Sequence, residues 1–197
     1  MRVCCLDLEG VLVPEIWIRV AETTGISDLR LTTRDIKDYD ELMRYRLKIL
    51  KARRITLRDI QKVIAGIAPL KGAGKFLNEL RSRAQVIILS DTFNEFAAPL
   101  MRQLGWPTIF CHDLEVGRNG FVTGYRLRQK NSKAKAVKAL KGLKFEVTAA
   151  GDSYNDLTML AAADRGILFN PPPSIRREYP RFPVATSYQK LLKLLLS

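Results

Sequence analysis

The chain has 197 residues, 47% of them apolar, and carries a formal net charge of +13. This length and apolar content suit one compact domain with room for a modest insertion, and they exclude a disordered chain. No apolar run approaches the ~20 residues of a membrane-spanning helix, so no membrane partner is expected.

In chain order, the first apolar run, 3–8, reads as a strand, and it stops at Asp7, Glu9 and Gly10. From 14 to 70 the pattern is helical throughout. Apolar positions at helical spacing fill 39–50, and a second helix follows an N-cap signal at Thr56. Helical segments at 74–83 and 94–104, the latter closed by Gly105, then alternate with β-rich runs at 85–89 and 108–111. Asn119-Gly120 is a hairpin signal and predicts a small antiparallel extension. Helices at 133–140 and 156–162 frame strands at 145–150 and 166–169, and an amphipathic helix at 188–196 ends the chain, expected to dock on the sheet. Strands separated by helices imply right-handed crossovers and a mainly parallel sheet. The expected fold is α/β: a doubly wound, Rossmann-like core from 1–13 and 71–197, with a helical cap, 14–70, inserted after the first strand.

Two acidic clusters lie at strand ends more than a hundred residues apart in sequence: Asp7 with Glu9, and Gly151-Asp152-Ser153-Tyr154-Asn155-Asp156. A parallel sheet would bring them together. Crowded carboxylates raise each other's pKa unless a cation shares them. An all-oxygen donor set of this kind suits Mg²⁺, which takes one or two carboxylates together with water and substrate phosphate. The pattern therefore predicts a magnesium-dependent phosphoryl-transfer site.

The cysteines, Cys4, Cys5 and Cys111, are odd in number and lack CxxC spacing, which disfavours both a disulfide framework and a zinc site. No arginine stands six positions after either Cys4 or Cys5, so a cysteine phosphatase is excluded. Gly72-Ala73-Gly74-Lys75 is followed by Phe76 and is no P-loop. The lone His112 reads as structural. The basic residues are spread along the chain with no interleaved aromatic ladder, so a solvated basic surface is expected rather than a nucleic-acid partner. The first residues carry no basic leader segment, and the expected location is the cytoplasm.

Asp7-x-Glu9-Gly10-Val11, Leu89-Ser90-Asp91-Thr92, a downstream lysine and Gly151-Asp152-Ser153-x-Asn155-Asp156 together resemble, in order, the four motifs of the haloacid dehalogenase superfamily. DLEGVLVPE, VIILSDTF, PLMRQLGWPT and AAGDSYNDLTML are similar to its phosphoserine phosphatase branch, and within it to the ThrH-type group, which also passes phosphate to homoserine. The resemblance covers essentially the whole chain. It implies hydrolysis of O-phospho-L-serine through an aspartyl-phosphate on Asp7, with Glu9 as acid and base and L-homoserine as a second acceptor. It further implies Mg²⁺ held by Asp7, the Glu9 main-chain carbonyl and Asp152, with Asp156 as an outer or additional ligand. Ser90, the Asp91 N–H, Asn155 and a lysine would hold the phosphate. That lysine is Lys133, which opens a helix most cleanly, or Lys130. Glu15 matches the position that meets the substrate amine, and Arg46 the one that meets its carboxylate.

Glu9 departs from the superfamily, whose phosphatases normally have Asp there, although the ThrH-type group shares the Glu. Asp91 stands where many relatives have glycine. Another small phosphomonoester as substrate, or a basic nucleic-acid-binding protein on a phosphatase fold, stay as alternatives, and a homodimer is left open.

Overall fold

The computed structural model describes residues 1–197 other than Thr33, Arg34 and Lys37, which lie within the 14–70 stretch. The elements run β1 (Arg2–Leu6), α1 (Ile16–Thr24), α2 (Tyr39–Ala52), α3 (Leu57–Ala65), α4 (Ala73–Arg81), β2 (Gln85–Phe93), α5 (Asn94–Gln103), β3 (Thr108–Val116) and β4 (Val122–Arg126), followed by α6 (Ser132–Gly142), β5 (Glu146–Gly151), α7 (Leu157–Ala162), β6 (Arg165–Phe169), α8 (Pro173–Glu178), β7 (Val184–Ala185) and α9 (Tyr188–Leu196). Short 3-10 turns occupy Ser27–Arg30 and Tyr154–Asp156.

The seven strands form one sheet in the order β4-β3-β2-β1-β5-β6-β7. Every neighbouring pair is parallel except β3 and β4, whose antiparallel ladder is closed by the turn containing Gly120 at φ +78°. This is the doubly wound α/β architecture expected from the sequence, hairpin included. β1 is central and has Val3, Cys4, Cys5 and Leu6 all buried, as a strand covered on both faces requires. Two apolar clusters pack the sheet. The smaller joins Val3, Cys5, Val147 and Ala149 to α6, α7 and α8. The larger joins Cys4, Leu6 and Phe93 to α4, α5 and α9, and extends without a break into Ile16, Trp17, Met43, Leu50, Ile60 and Ile64 of α1, α2 and α3. The helices of the 14–70 stretch are therefore fixed to the sheet by shared apolar burial.

Local signals explain the helix starts. Asp38 caps α2 by accepting from Glu41 N–H at 2.7 Å, and Thr56 and Asp59 form a reciprocal capping box on α3. α9 packs against β5, β6 and β7, as its amphipathic pattern predicts. The two-residue β7 and the six-residue α8 went unread in the sequence, being too short for a periodic signal. Among the described residues no helix is long and apolar enough to cross a membrane.

Candidate active site

Sheet register assembles the site. Leu6 of β1 pairs with Ile88 on one side and Ala150 on the other. Asp7, one residue on, still donates its N–H to Ala150 O at 2.9 Å, and the chain then turns through 8–13. Ser90 and Asp91 lie in β2 just beyond Ile88, its last residue paired with β1, at the same edge, and Asp152 follows the end of β5. Three adjacent strands thus deliver their polar ends to the carboxyl side of the sheet, where open α/β folds hold ligands.

Asp7, Asp152 and Asp156 each bring an oxygen within 4.8 Å of the others. Asp156 is fully buried and organises the group: its Oδ2 accepts from the N–H of Asp152 (3.0 Å), the N–H of Ser153 (3.1 Å) and Ser153 Oγ (3.2 Å). Its Oδ1 accepts from Lys133 Nζ at 2.8 Å. The same ammonium lies 2.9 Å from Asp7 Oδ1 and 3.4 Å from Asp91 Oδ2. Of the two candidate lysines, Lys133 is the one brought to the cluster, buried in the first turn of α6; Lys130 lies exposed on the rim of a 440 Å³ cavity that Lys133, Asp91 and Asn155 also line.

Three carboxylates around one lysine leave a surplus of negative charge. Burial and the charges of Asp156 and Asp152 push the Asp7 carboxyl well above its ordinary range, against the opposing pull of Lys133. Burial also works against the Lys133 charge, but Asp156, Asp7 and Asp91 outweigh it and hold the lysine protonated. The donor set, hard oxygens with excess charge, is one a divalent cation relieves.

Two glycines make the close approach possible. Gly10, at φ +76°, lies against Asp152 so that a Cβ would run into its carboxyl group, and a Cβ on Gly151 would run into that of Asp156.

Glu9 is set apart from this cluster. Its Oε2 accepts the Ile16 N–H at 2.7 Å, which caps α1, while Glu15, at the N-cap position itself, makes no side-chain cap bond. The additional methylene of Glu over Asp extends the carboxyl group toward this helix end. Burial, then the Glu15 charge, raise the Glu9 carboxyl to about 8, with the Ile16 N–H and Arg46 opposing. Beside it lies a pocket of about 110 Å³, bounded by Glu9, Glu15, Trp17, Tyr39, Arg46 and Asn155. Arg46, among many basic neighbours in sequence, is 6% exposed, with its guanidinium 4.5 Å from the Trp17 ring centroid. Burial lowers its pKa to about 10, although Glu9, Tyr39 and Glu15 hold it up in part.

Ser90 is buried and accepts the Thr92 N–H at 3.2 Å through Oγ. Asp91 engages through its side chain: its carboxylate bridges Lys133 and His112 Nε2, the latter at 3.6 Å. Burial opposes the Asp91 charge, but Lys133 and His112 hold its carboxyl down at about 2. His112 is buried, and its Nδ1 accepts the Arg128 N–H at 3.2 Å, which leaves Nε2 as the protonated nitrogen facing Asp91.

Three residues of the site were not singled out from the sequence. Tyr39 donates its hydroxyl to Asp91 O at 3.1 Å, and nothing in its local pattern marks it. Trp17, two residues after Glu15, reads as one more apolar position of a helix. His112 reads as structural, and only the β2–β3 register, which pairs it with Phe93, brings it to Asp91.

Comparison with known proteins bears on this arrangement. Residues 1–164 match the family model for haloacid dehalogenase-like hydrolases. The chain is 58% identical to phosphoserine phosphatase ThrH of Pseudomonas aeruginosa over 97% of its own length and 93% of that protein's. It is 55% identical to a phosphoserine phosphatase of Pseudomonas syringae pv. tomato, covering 98% of this chain and 81% of that one. A structure described as a phospho-aspartyl intermediate analogue of phosphoserine phosphatase superposes with a TM-score of 0.79 at 18% identity, over 97% of both chains, and supports the fold. Strand-end carboxylates, buried lysine and sheet order all agree with that match: the chain belongs to the haloacid dehalogenase-like hydrolases.

Proposed function

We propose that this protein is a Mg²⁺-dependent phosphatase that hydrolyses O-phospho-L-serine to L-serine and phosphate, and that it also passes the phosphoryl group to L-homoserine. One observation carries this reading: the Asp7–Lys133–Asp152 cluster adjoins a pocket lined by Glu9, Glu15 and a buried Arg46. A phosphorylated amino acid presents a phosphate, an ammonium and a carboxylate, and these groups match a cation-bearing cluster, an acid and an arginine in turn. The similarity to ThrH of Pseudomonas aeruginosa, a phosphoserine phosphatase by name, supports the same substrate.

Asp7 is the nucleophile. Oδ1 accepts from both the Leu8 N–H (2.8 Å) and Lys133, so Oδ2 is the oxygen assigned to attack phosphorus in line. The P–O bond to serine breaks as the Asp7–phosphorus bond forms. Glu9, protonated on Oε1 because Oε2 accepts from Ile16, gives its proton to the leaving serine oxygen. Glu9 then takes a proton from water, or from the homoserine hydroxyl, as that oxygen attacks the phospho-aspartate and frees Asp7. Lys133 offsets charge on the transferring group, while Ser90 Oγ–H, the Asp91 N–H and Asn155 donate to its oxygens. Asp7, the Glu9 carbonyl and Asp152 would hold Mg²⁺, which when bound screens the carboxylate nucleophile from the phosphate. Asp156, with both oxygens already accepting hydrogen bonds, takes the outer position. Residues 14–70 serve as the cap over a core made of 1–13 and 71–197, and the enzyme works in the cytoplasm.

The test is to incubate the protein with O-phospho-L-serine and Mg²⁺, with and without L-homoserine, and to follow phosphorus by ³¹P NMR. The expected result is free phosphate in the first sample, abolished by Asp7→Asn, and a phosphohomoserine signal in the second. Intact phosphoserine alongside cleavage of p-nitrophenyl phosphate would keep the chemistry and remove the substrate.

A further inference from the structure

Arg46 is held in an unusual way for a buried cation. Its Nη2 donates to Leu31 O at 2.8 Å, its Nη1 approaches Met43 Sδ at 3.8 Å, and its Nε has no hydrogen-bond partner among the described residues. The guanidinium also lies over the indole face of Trp17, its carbon 4.5 Å from the ring centroid. Trp17 is itself buried on the wall of the pocket, and its edge-to-face contact with Phe96 of α5, 5.6 Å between centroids, anchors it to the main apolar cluster. A ring holds a cation by its face without consuming any N–H donor. The guanidinium is thereby fixed in plane while part of its donor fork stays unspent, which is the condition for taking a planar carboxylate in the pocket.

We propose that Trp17 is a positioning residue for carboxylate recognition: the indole plate orients Arg46, so that Trp17, which touches no reacting atom, sets the preference for phosphorylated amino acids over phosphorylated amines. The proposal rests on the phosphoserine reading given above. The competing role for Trp17 is apolar packing alone, and the two roles separate in the ratio of two substrates. O-phosphoethanolamine keeps the phosphate and ammonium of phosphoserine and lacks the carboxylate.

Trp17→Leu keeps an apolar side chain and removes the ring. The expected effect is a rise of about tenfold in the KM ratio of phosphoserine to phosphoethanolamine, with kcat for phosphoserine little changed, as loss of a desolvated cation–ring contact predicts. Trp17→Phe should restore most of the preference. An unchanged ratio, or an equal loss for both substrates that Trp17→Phe restores equally, would reduce Trp17 to packing and overturn the proposal. A second readout is independent of turnover and of the folding of the leucine variant. The chain has two tryptophans, and Trp106→Phe, at an exposed position, leaves Trp17 as the sole indole. Its emission should change saturably with L-serine and not with ethanolamine, and Arg46→Lys should weaken that response at least tenfold. A response to neither compound, or the same response to both, overturns the proposal. If the wild-type protein leaves phosphoserine intact yet Trp17 emission in the Trp106→Phe variant still separates L-serine from ethanolamine, the substrate assignment falls and the positioning role stands.

Discussion

The strand-end cluster and the helical pocket next to it solve opposite problems of charge. In the cluster, Asp7, Asp152 and Asp156 are pressed together, with Lys133 paired to Asp7 and Asp156, so negative charge is in excess and the groups are held by main-chain N–H donors and sheet register. In the pocket the Arg46 guanidinium is buried beside an aromatic plate and a main-chain carbonyl, and its position depends on side-chain packing between α1 and α2. The first arrangement is rigid because three strands fix it. The second is as precise as the apolar contacts beneath it. Chemistry and selectivity should therefore fail separately under mutation.

The largest effect is expected in the cluster. Asp7→Asn keeps the shape and removes the proposed nucleophile, and turnover of every phosphomonoester should fall by about 10⁴-fold or more. Retention of more than a hundredth of wild-type turnover, measured by phosphate release, would show that another group attacks. Gly10→Ala tests the same region through the backbone. The added methyl would drive into the Asp152 carboxyl from a residue at φ +76°, and a displacement of ~1 Å in such a site costs about 10²-fold in rate. Gly25→Ala supplies the control, since Gly25 has φ +70° with nothing within 4 Å of a Cβ. It should cost about 1 kcal/mol in urea unfolding and leave kcat alone. Equal kinetic losses in both variants would mean that backbone strain, not the meeting with Asp152, is responsible.

The same contrast explains what could be read from the sequence. The core of the cluster was legible because Asp7 and Asp152 stand at the ends of apolar runs, and a parallel sheet can bring those ends to one edge only. Asp7 and Asp152 required no knowledge of side-chain packing. Lys133 was harder: Lys130 and Lys133 stand three residues apart about the start of the same helix, and only the buried first turn of α6 distinguishes them. The pocket was legible only through the family resemblance. Nothing in the 39–50 pattern separates Arg46 from Arg44, because helical periodicity marks which face is buried without marking a cation that is buried on it. Trp17 and His112 owe their places to contacts between distant segments, with Phe96 and Arg46 in one case and Asp91 in the other. Glu9 carries a further lesson: its bond to Ile16 N–H depends on how the 8–13 turn leads into α1, which no local pattern encodes.

The pocket should fail selectively. Arg46→Ala is expected to lower kcat/KM for phosphoserine by about 10–100-fold, the value of a charge-assisted hydrogen-bonded pair, while p-nitrophenyl phosphate, which has no carboxylate, falls by less than about threefold. Steady-state kinetics on both substrates decide the matter. Parallel losses would place Arg46 in the support of the cluster and erase the distinction between the two regions.

Glu9 lies at their junction, and its proton gives the smallest and sharpest test. Burial and Glu15 raise this carboxyl to about 8 in the folded protein, whereas an unfolded glutamate titrates at about 4.3. Between those limits the folded state holds a proton that the unfolded state has released, so stability from this group falls as pH rises and levels off above pH 8. In the proposed mechanism the same proton is the one offered to the leaving alkoxide. Above pH 8, phosphoserine turnover should drop by about tenfold per unit, while p-nitrophenyl phosphate, whose phenolate leaves unassisted, should show a much weaker alkaline limb. Glu9→Gln should slow phosphoserine cleavage at neutral pH, abolish its alkaline limb and flatten the dependence of urea midpoint on pH between 5 and 8. If the alkaline limb persists in Glu9→Gln for phosphoserine, the titrating acid is another group, and Glu9 is left with the structural task of capping α1.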